Sequence, residues 1–120
     1  MTAELNLLVL RAADTVAVVR FYAALGIEFV KEQHGSGPEH YSGKAGSALL
    51  EIYPLGNGAV TTGIRLGFSV PALAASIAAA VEAGGKLISP PQSSSWGQRA
   101  VLSDPEGHKV ELLEIQVSDR

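Results

Sequence analysis

Two acidic residues stand where acids are rare. Glu51 lies inside Ala48-Leu49-Leu50-Glu51-Ile52, and Glu111 lies inside Val110-Glu111-Leu112. Charged side chains are seldom buried in apolar strands unless they are paired. A matched pair of carboxylates therefore points to proton transfer, to a hard cation, or to an ion pair. Arg65 stands in another apolar stretch, Ile64-Arg65-Leu66. His34, His40 and His108 are the three imidazoles, and cysteine is absent. That absence excludes a thiolate nucleophile and every Cys-ligated zinc or iron–sulfur centre. No Gly-x-Ser-x-Gly supports a serine nucleophile. Gly35-Ser36-Gly37 and Gly56-Asn57-Gly58 lack the following Lys-Ser or Lys-Thr helix of a phosphate loop.

The elements that must carry these residues repeat. Leu5 to Leu10 reads as a buried strand. Asp14 offers a helix N-cap, and Val18, Phe21, Tyr22 and Leu25 form one helical face that stops at Gly26. Ile27 to Gln33 is a strand, a short strand lies between two glycine turns, and Ser47 to Tyr53 is a better one. In that last strand Leu49, Glu51 and Tyr53 share a face. The order then begins again. Ile64 to Ser69 is a strand, Pro71 fits a first helical turn, and Leu73, Ile77, Ala80 and Val81 form a stripe ended by Gly84-Gly85. Lys86 to Ser89 is a strand, Pro90 to Ser95 a polar loop, Gln98 to Ser103 a strand, Asp104-Pro105-Glu106-Gly107 a turn, and His108 to Ile115 the last strand. Two copies of strand–helix–strand–strand–strand, offset by about sixty residues, meet the test for an internal repeat. The expected modules are residues 1–58 and 59–120, together one domain.

The balance of 9 basic against 12 acidic residues gives a net charge of −3, the wrong sign for a phosphate-backbone binder. With 47% hydrophobic and 18% charged residues the chain is not disordered. No apolar run approaches the ~20 residues that span a bilayer, and Glu4 and Asn6 interrupt any signal-peptide pattern. The expectation is a soluble, cytoplasmic protein without nucleic-acid or membrane partners.

Arg20-Phe21-Tyr22 before Leu25-Gly26, then Trp96-Gly97, then Asp104-Pro105-Glu106-Gly107 leading into Val110-Glu111-Leu112 resembles the vicinal oxygen chelate superfamily. This group includes glyoxalase I, bleomycin-resistance proteins, fosfomycin-resistance enzymes and extradiol dioxygenases. The resemblance covers nearly the whole chain. It implies an α+β fold of tandem βαβββ modules whose curved mixed sheets form a cup, often in a homodimer. In metal-dependent members a divalent ion sits on the cup floor, held by one residue from the first and last strand of each module. Carried over, those positions fall on Leu7, Glu51, Arg65 and Glu111. Leucine has no donor atom, and arginine is a permanent cation. Two of the four ligands are therefore missing, so no cofactor is expected; the alternative is a divalent metal held by Glu51 and Glu111. Arg65 is expected to take the ion's place and pair with Glu51, Glu111 or both.

Other candidates complete the set. Tyr53 shares the Glu51 face and can line the cup, and Trp96 stands on a loop at the rim. The expected ligand-binding residues are Leu7, Glu51, Tyr53, Arg65, Trp96 and Glu111, with Glu51 and Glu111 the candidates for catalysis. Arg11 reads more simply as a solvated strand end, His34 and His40 as a solvated loop pair, and His108 as exposed. The leading reading is a bleomycin-resistance-like protein that binds a small molecule without a catalytic metal. Its floor charge of Glu51 + Glu111 + Arg65 = −1 favours a cationic or hydrogen-bond-donating ligand. One alternative is a divalent-metal-dependent lyase, isomerase or dioxygenase. Another is a metal-free enzyme with Glu51 or Glu111 as base and Arg65 holding an oxyanion. The small-residue face of Ala72 to Ala83 supports a homodimer.

Overall fold

The computed structural model describes residues 1–115; the last five residues of the expected second module lie outside the described residues. Its elements run β1 (Leu7–Ala12), α1 (Thr15–Ala24), β2 (Phe29–Glu32), β3 (His40–Ala45), β4 (Ala48–Pro54), β5 (Arg65–Ser69), α2 (Leu73–Glu82), β6 (Lys86–Ser94), β7 (Gly97–Ser103) and β8 (Lys109–Ile115). Two four-stranded mixed sheets result, ordered β1-β4-β3-β2 and β5-β8-β7-β6. In each, the first strand runs parallel to the last, and the other pairs are antiparallel. The expected tandem α+β fold is the one observed.

Capping differs between the two helices. The Asp14 side chain accepts from the Ala17 amide at 3.1 Å, as its N-cap position predicts. α2 starts at Leu73, two residues beyond Pro71, and its cap residue Ala72 has no side-chain acceptor. Glu114 of β8 supplies one instead, accepting from the Leu73 amide at 2.6 Å. A carboxylate at this end also suits the helix dipole.

One core joins the two modules. Leu10, Leu50 and Ile52 of the first sheet and Leu66, Leu102 and Leu112 of the second belong to a single buried cluster, with Phe21 and Tyr22 of α1 among them. The turn after α2 packs closely on α1 at Gly85, where a Cβ would lie 2.4 Å from a Phe21 ring carbon. Residues that alternate with these core positions, including Glu51 and Glu111, fall on the opposite face of each sheet.

A buried polar network ties the modules further. Asp104 Oδ2 accepts from the Tyr22 hydroxyl at 2.7 Å and lies 2.8 Å from His108 Nδ1. Asp104 Oδ1 accepts from the amides of Glu106, Gly107 and His108. His108 Nε2 lies 2.7 Å from the Thr61 hydroxyl, and Thr61 Oγ1 also accepts from the Arg11 amide. His108 is fully buried, which corrects the expectation of exposure. Asp104 is only four residues away, but Thr61, the partner of Nε2, comes from a distant segment.

The polar stretch Pro90 to Ser95 also departs from expectation: most of it extends β6. Its pairing with β7 shifts register between Leu87 and Ser89 and again between Ser89 and Gln92. β6 is an edge strand, where prolines lacking an N–H are tolerated.

Candidate functional site

Cross-strand register decides which side chains meet. In the second sheet Gly67 and Val101 flank Glu111, and Arg99 lies opposite Leu113. Arg65, Gly67, Glu111, Val101 and Arg99 therefore share the face away from the core. Arg65 Nη2 donates to Glu111 Oε1 at 3.0 Å. Arg99 donates to the same carboxylate twice, from Nη2 at 2.8 Å and from Nε at 3.2 Å. Hydrogen bonds from Arg99 and then Arg65 hold the Glu111 carboxyl below its ordinary pKa.

Of the expected partners, Arg65 meets Glu111; among the described residues no ion pair includes Glu51. Arg99 is the residue that the sequence reading missed. A signal existed: counting outward from the Asp104 to Gly107 turn puts Ser103 opposite Lys109, hence Val101 opposite Glu111 and Arg99 one pleat further. Arg99 also changes the local charge. The cluster Arg65 + Arg99 + Glu111 sums to +1, with Lys109 opposite Arg65 on the same face, where the sequence count of −1 groups Glu51 with Glu111 and Arg65.

The first sheet places its candidates differently. Val9 and Ser42 flank Glu51, and Leu7 lies opposite Leu49. Leu7 is 45% exposed. Tyr53 stacks on His40, with ring centroids 4.1 Å apart and planes 8° apart. The Arg11 guanidinium stands 5.4 Å from the Tyr53 ring centroid and donates to the Pro54 carbonyl at 3.1 Å. Arg11 is thus held rather than free in solvent. Trp96 is 73% exposed at the β6–β7 turn, its amide donating to Ser94 Oγ.

Two cavities touch Arg65. A cleft of about 570 Å³ runs between the modules, lined by Leu8, Leu49, Leu50, Phe68 and Val70 together with Lys44 and Arg65. A smaller one of about 250 Å³ lies on the second sheet, where Arg65 and Arg99 meet Ser89 and Gln92. Of the sequence-expected ligand set, Arg65 borders both and Leu7, Glu51, Tyr53, Trp96 and Glu111 border neither.

The family model of the glyoxalase-like domain matches residues 7–113. The chain belongs to that family, within the vicinal oxygen chelate superfamily. Solved structures with the glyoxalase-like fold match it over nearly its full length. One is TnmS3, an antibiotic-binding protein from Streptomyces sp. CB03234, at 20% identity and TM-score 0.77 over 96% of this chain and 98% of that one. A glyoxalase-related enzyme from Fulvimarina pelagi shows 23% identity and TM-score 0.76 over 94% and 88%. A glyoxalase/bleomycin resistance protein/dioxygenase family enzyme from Burkholderia phytofirmans PsJN shows 23% identity and TM-score 0.75 over 95% and 100%. At such identities the likeness concerns the fold. No curated protein matches the chain by sequence.

The floor ion of metal-dependent superfamily members can be tested against these residues. Leu7 offers no donor atom. Arg65 brings a fixed cation within 3.0 Å of Glu111, and Arg99 a second within 2.8 Å. A divalent ion at Glu111 would displace both guanidinium groups and then face them. Like charges about 4 Å apart repel by about 4 kcal/mol at an effective dielectric of 20. The donor set does not suit the ion.

Proposed function

We propose that this glyoxalase-like protein binds a small, largely apolar molecule beside Arg65, without a metal at Glu51 and Glu111. The ligand carries an anionic or hydrogen-bond-accepting group. The observation that supports this reading is the engagement of Glu111 by two arginines. It occupies the carboxylate, and it leaves the face with a net positive charge. The cleft volume of about 570 Å³ falls in the usual range for small-molecule sites. Its aliphatic and aromatic walls favour an apolar body, and Arg65 at its border favours an acceptor group.

We extend the reading to a homodimer. Val30, Leu7 and Leu49 are exposed on the first sheet, and Leu87 and Ile88 on β6. The radius of gyration, 15.0 Å, exceeds the roughly 13.6 Å of a compact chain of this length. A second copy covering these faces would remove apolar surface from water.

The test uses the untagged full chain. A panel of aromatic and aliphatic carboxylates, each with its neutral isostere, is screened by thermal shift and then by calorimetry, with and without EDTA. The expected result is preference for the acceptor-bearing member, unchanged by EDTA and weakened at least about tenfold in Arg65→Ala, as for loss of a charge-assisted hydrogen bond. Binding abolished by EDTA, or unaffected by Arg65→Ala, overturns the reading. Consumption of the bound compound moves it to catalysis. Sedimentation of the free protein tests the dimer.

A further inference from the structure

We infer a divalent transition-metal site at the β2–β3 hairpin, formed by Glu32, His34 and His40. It lies on a different sheet from Arg65, Arg99 and Glu111, and it shares no residue with the floor positions.

The hairpin register places Glu32 directly opposite His40. His34 follows two residues after Glu32, beyond the end of β2. The three ligand atoms lie within 4.8 Å of one another. Glu32 Oε1 is 3.3 Å from His40 Nε2 and 3.5 Å from His34 Nε2. Neighbouring ligand atoms of a tetrahedral ion with bonds of about 2.0–2.1 Å are separated by about 3.3–3.4 Å. These two edges are already near that length.

His40 supplies the independent observation. It is 1% exposed, and its Nε2 has no hydrogen-bond partner. Its Nδ1 lies 3.2 Å from the Pro38 carbonyl. A carbonyl can only accept, so Nδ1 donates to it, and in the neutral ring Nε2 is then the atom with a lone pair facing the Glu32 carboxylate. A proton shared between these two atoms, 3.3 Å apart, or a metal ion beside them would reconcile the pair, and the second nearby imidazole, His34, favours the ion. A buried acceptor without a partner is costly. The Nδ1–H to carbonyl bond is also the outer contact that orients a metal-binding imidazole. Stacking on Tyr53 fixes the ring plane.

Two imidazoles and one carboxylate suit Zn²⁺ and its neighbours Co²⁺ and Ni²⁺ more than Mg²⁺ or Ca²⁺. Three protein ligands leave a fourth position open. The His34 side chain is 73% exposed, so this position faces solvent. The ion joins the end of β2 to the start of β3 across the Gly35-Ser36-Gly37-Pro38 turn.

The experiment titrates Zn²⁺ and Co²⁺ into the untagged, EDTA-stripped full chain. Stoichiometry and affinity come from calorimetry, geometry from the visible Co²⁺ spectrum, and stability from melting with and without metal. The expected result is one ion per chain, a tetrahedral Co²⁺ spectrum and a raised Tm. His34→Gln and Glu32→Gln, both at accessible side chains, should each lower affinity at least about tenfold and leave the metal-free Tm within a few degrees. Glu51→Gln and Glu111→Gln should not alter binding. No retained ion overturns the inference, as does binding unchanged in both hairpin variants. Binding lost only in the Glu51 and Glu111 variants would place the ion on the floor.

Discussion

Removing the Asp104 carboxylate is the most informative perturbation of the fold. Asp104→Ala removes an acceptor from five donors, the Tyr22 hydroxyl, His108 Nδ1, and the amides of Glu106, Gly107 and His108, of which Gly107 keeps the Asp104 carbonyl. The Glu106 and Gly107 amides are only partly buried, so water can replace the lost bonds. Tyr22 and His108 are fully buried, so their three donors are left unsatisfied. Each such group costs about 1–3 kcal/mol, and water entering the space left by the carboxylate offsets part of it. The expected loss is about 3–5 kcal/mol, the usual range for breaking a buried charged network. At about 4 °C per kcal/mol for a chain of this size, Tm falls by about 12–20 °C. Chemical and thermal denaturation followed by circular dichroism measure it. Asp104→Asn keeps an acceptor for the turn amides and should lose less. The acid limb carries the same information. Burial raises the Asp104 carboxyl pKa, but hydrogen bonds from His108 and Tyr22 and the charge of His108 outweigh it, so the net direction is down. A depressed folded pKa means that the unfolded state binds more protons at low pH. This stabilisation is present above the ordinary carboxylate value of about 4 and is lost as pH falls through the folded pKa. The variant should therefore show a flatter acid limb. A Tm within about 5 °C of the parent, on the same scale of degrees per kcal/mol, would refute the claim that this network joins the modules.

Three further outcomes are expected. Tyr22 is held well above its ordinary pKa by burial, by the Asp104 charge and by the hydrogen bond to it. Its stabilisation is therefore complete below about pH 10 and lost as pH rises beyond; ultraviolet titration should show its phenolate only as the fold is lost, with a shallower alkaline limb in Tyr22→Phe. Gly85→Ala pushes a methyl group into the Phe21 ring and toward the Ala80 carbonyl, so it should destabilise by about 1–3 kcal/mol in urea titrations. Arg99→Ala leaves the Arg65–Glu111 pair at a partly exposed site, so stability should change by less than about 1 kcal/mol, while carboxylate affinity measured by calorimetry falls.

The fold was legible because its signals are local and repeated. Asp14 caps α1 as its residue type predicts, and the glycine stops and apolar alternation place nearly every strand. β6 ran past its expected end because an edge strand accepts prolines that a central strand would refuse. The site was less legible because pairing across strands decides it. Glu111 stood out by itself, but its strongest partner, Arg99, is twelve residues away through a hairpin. His108 and His40 looked like loop residues. They are buried because Asp104, Tyr22 and Thr61 close over the first, and Tyr53 covers the second. Apart from Asp104, four residues before His108, those contacts depend on how the segments dock, which residue type and spacing do not report.

The internal repeat makes the divergence of the two sheets interpretable. Glu51 and Glu111 hold equivalent places in the last strand of each module, flanked by Ser42 and Val101 on the strand beside them. One pleat further along that neighbouring strand stand His40 in the first module and Arg99 in the second. Arg99 has the reach to fold back onto Glu111, and two guanidinium groups then saturate that carboxylate. His40 is too short and too rigid for the same turn. Its ring packs flat on Tyr53 and directs Nε2 sideways, to Glu32 on the adjacent strand. Side-chain length at one repeated position thus separates the two carboxylates. Glu111 is bound between two guanidinium groups, the wall that the proposed reading sets against an acceptor group on a ligand. Among the described residues no arginine pairs with Glu51, and the cation site proposed for its sheet lies at the hairpin instead. A cation at the hairpin and an anion beside Arg65 would then occupy different sheets of one duplicated architecture.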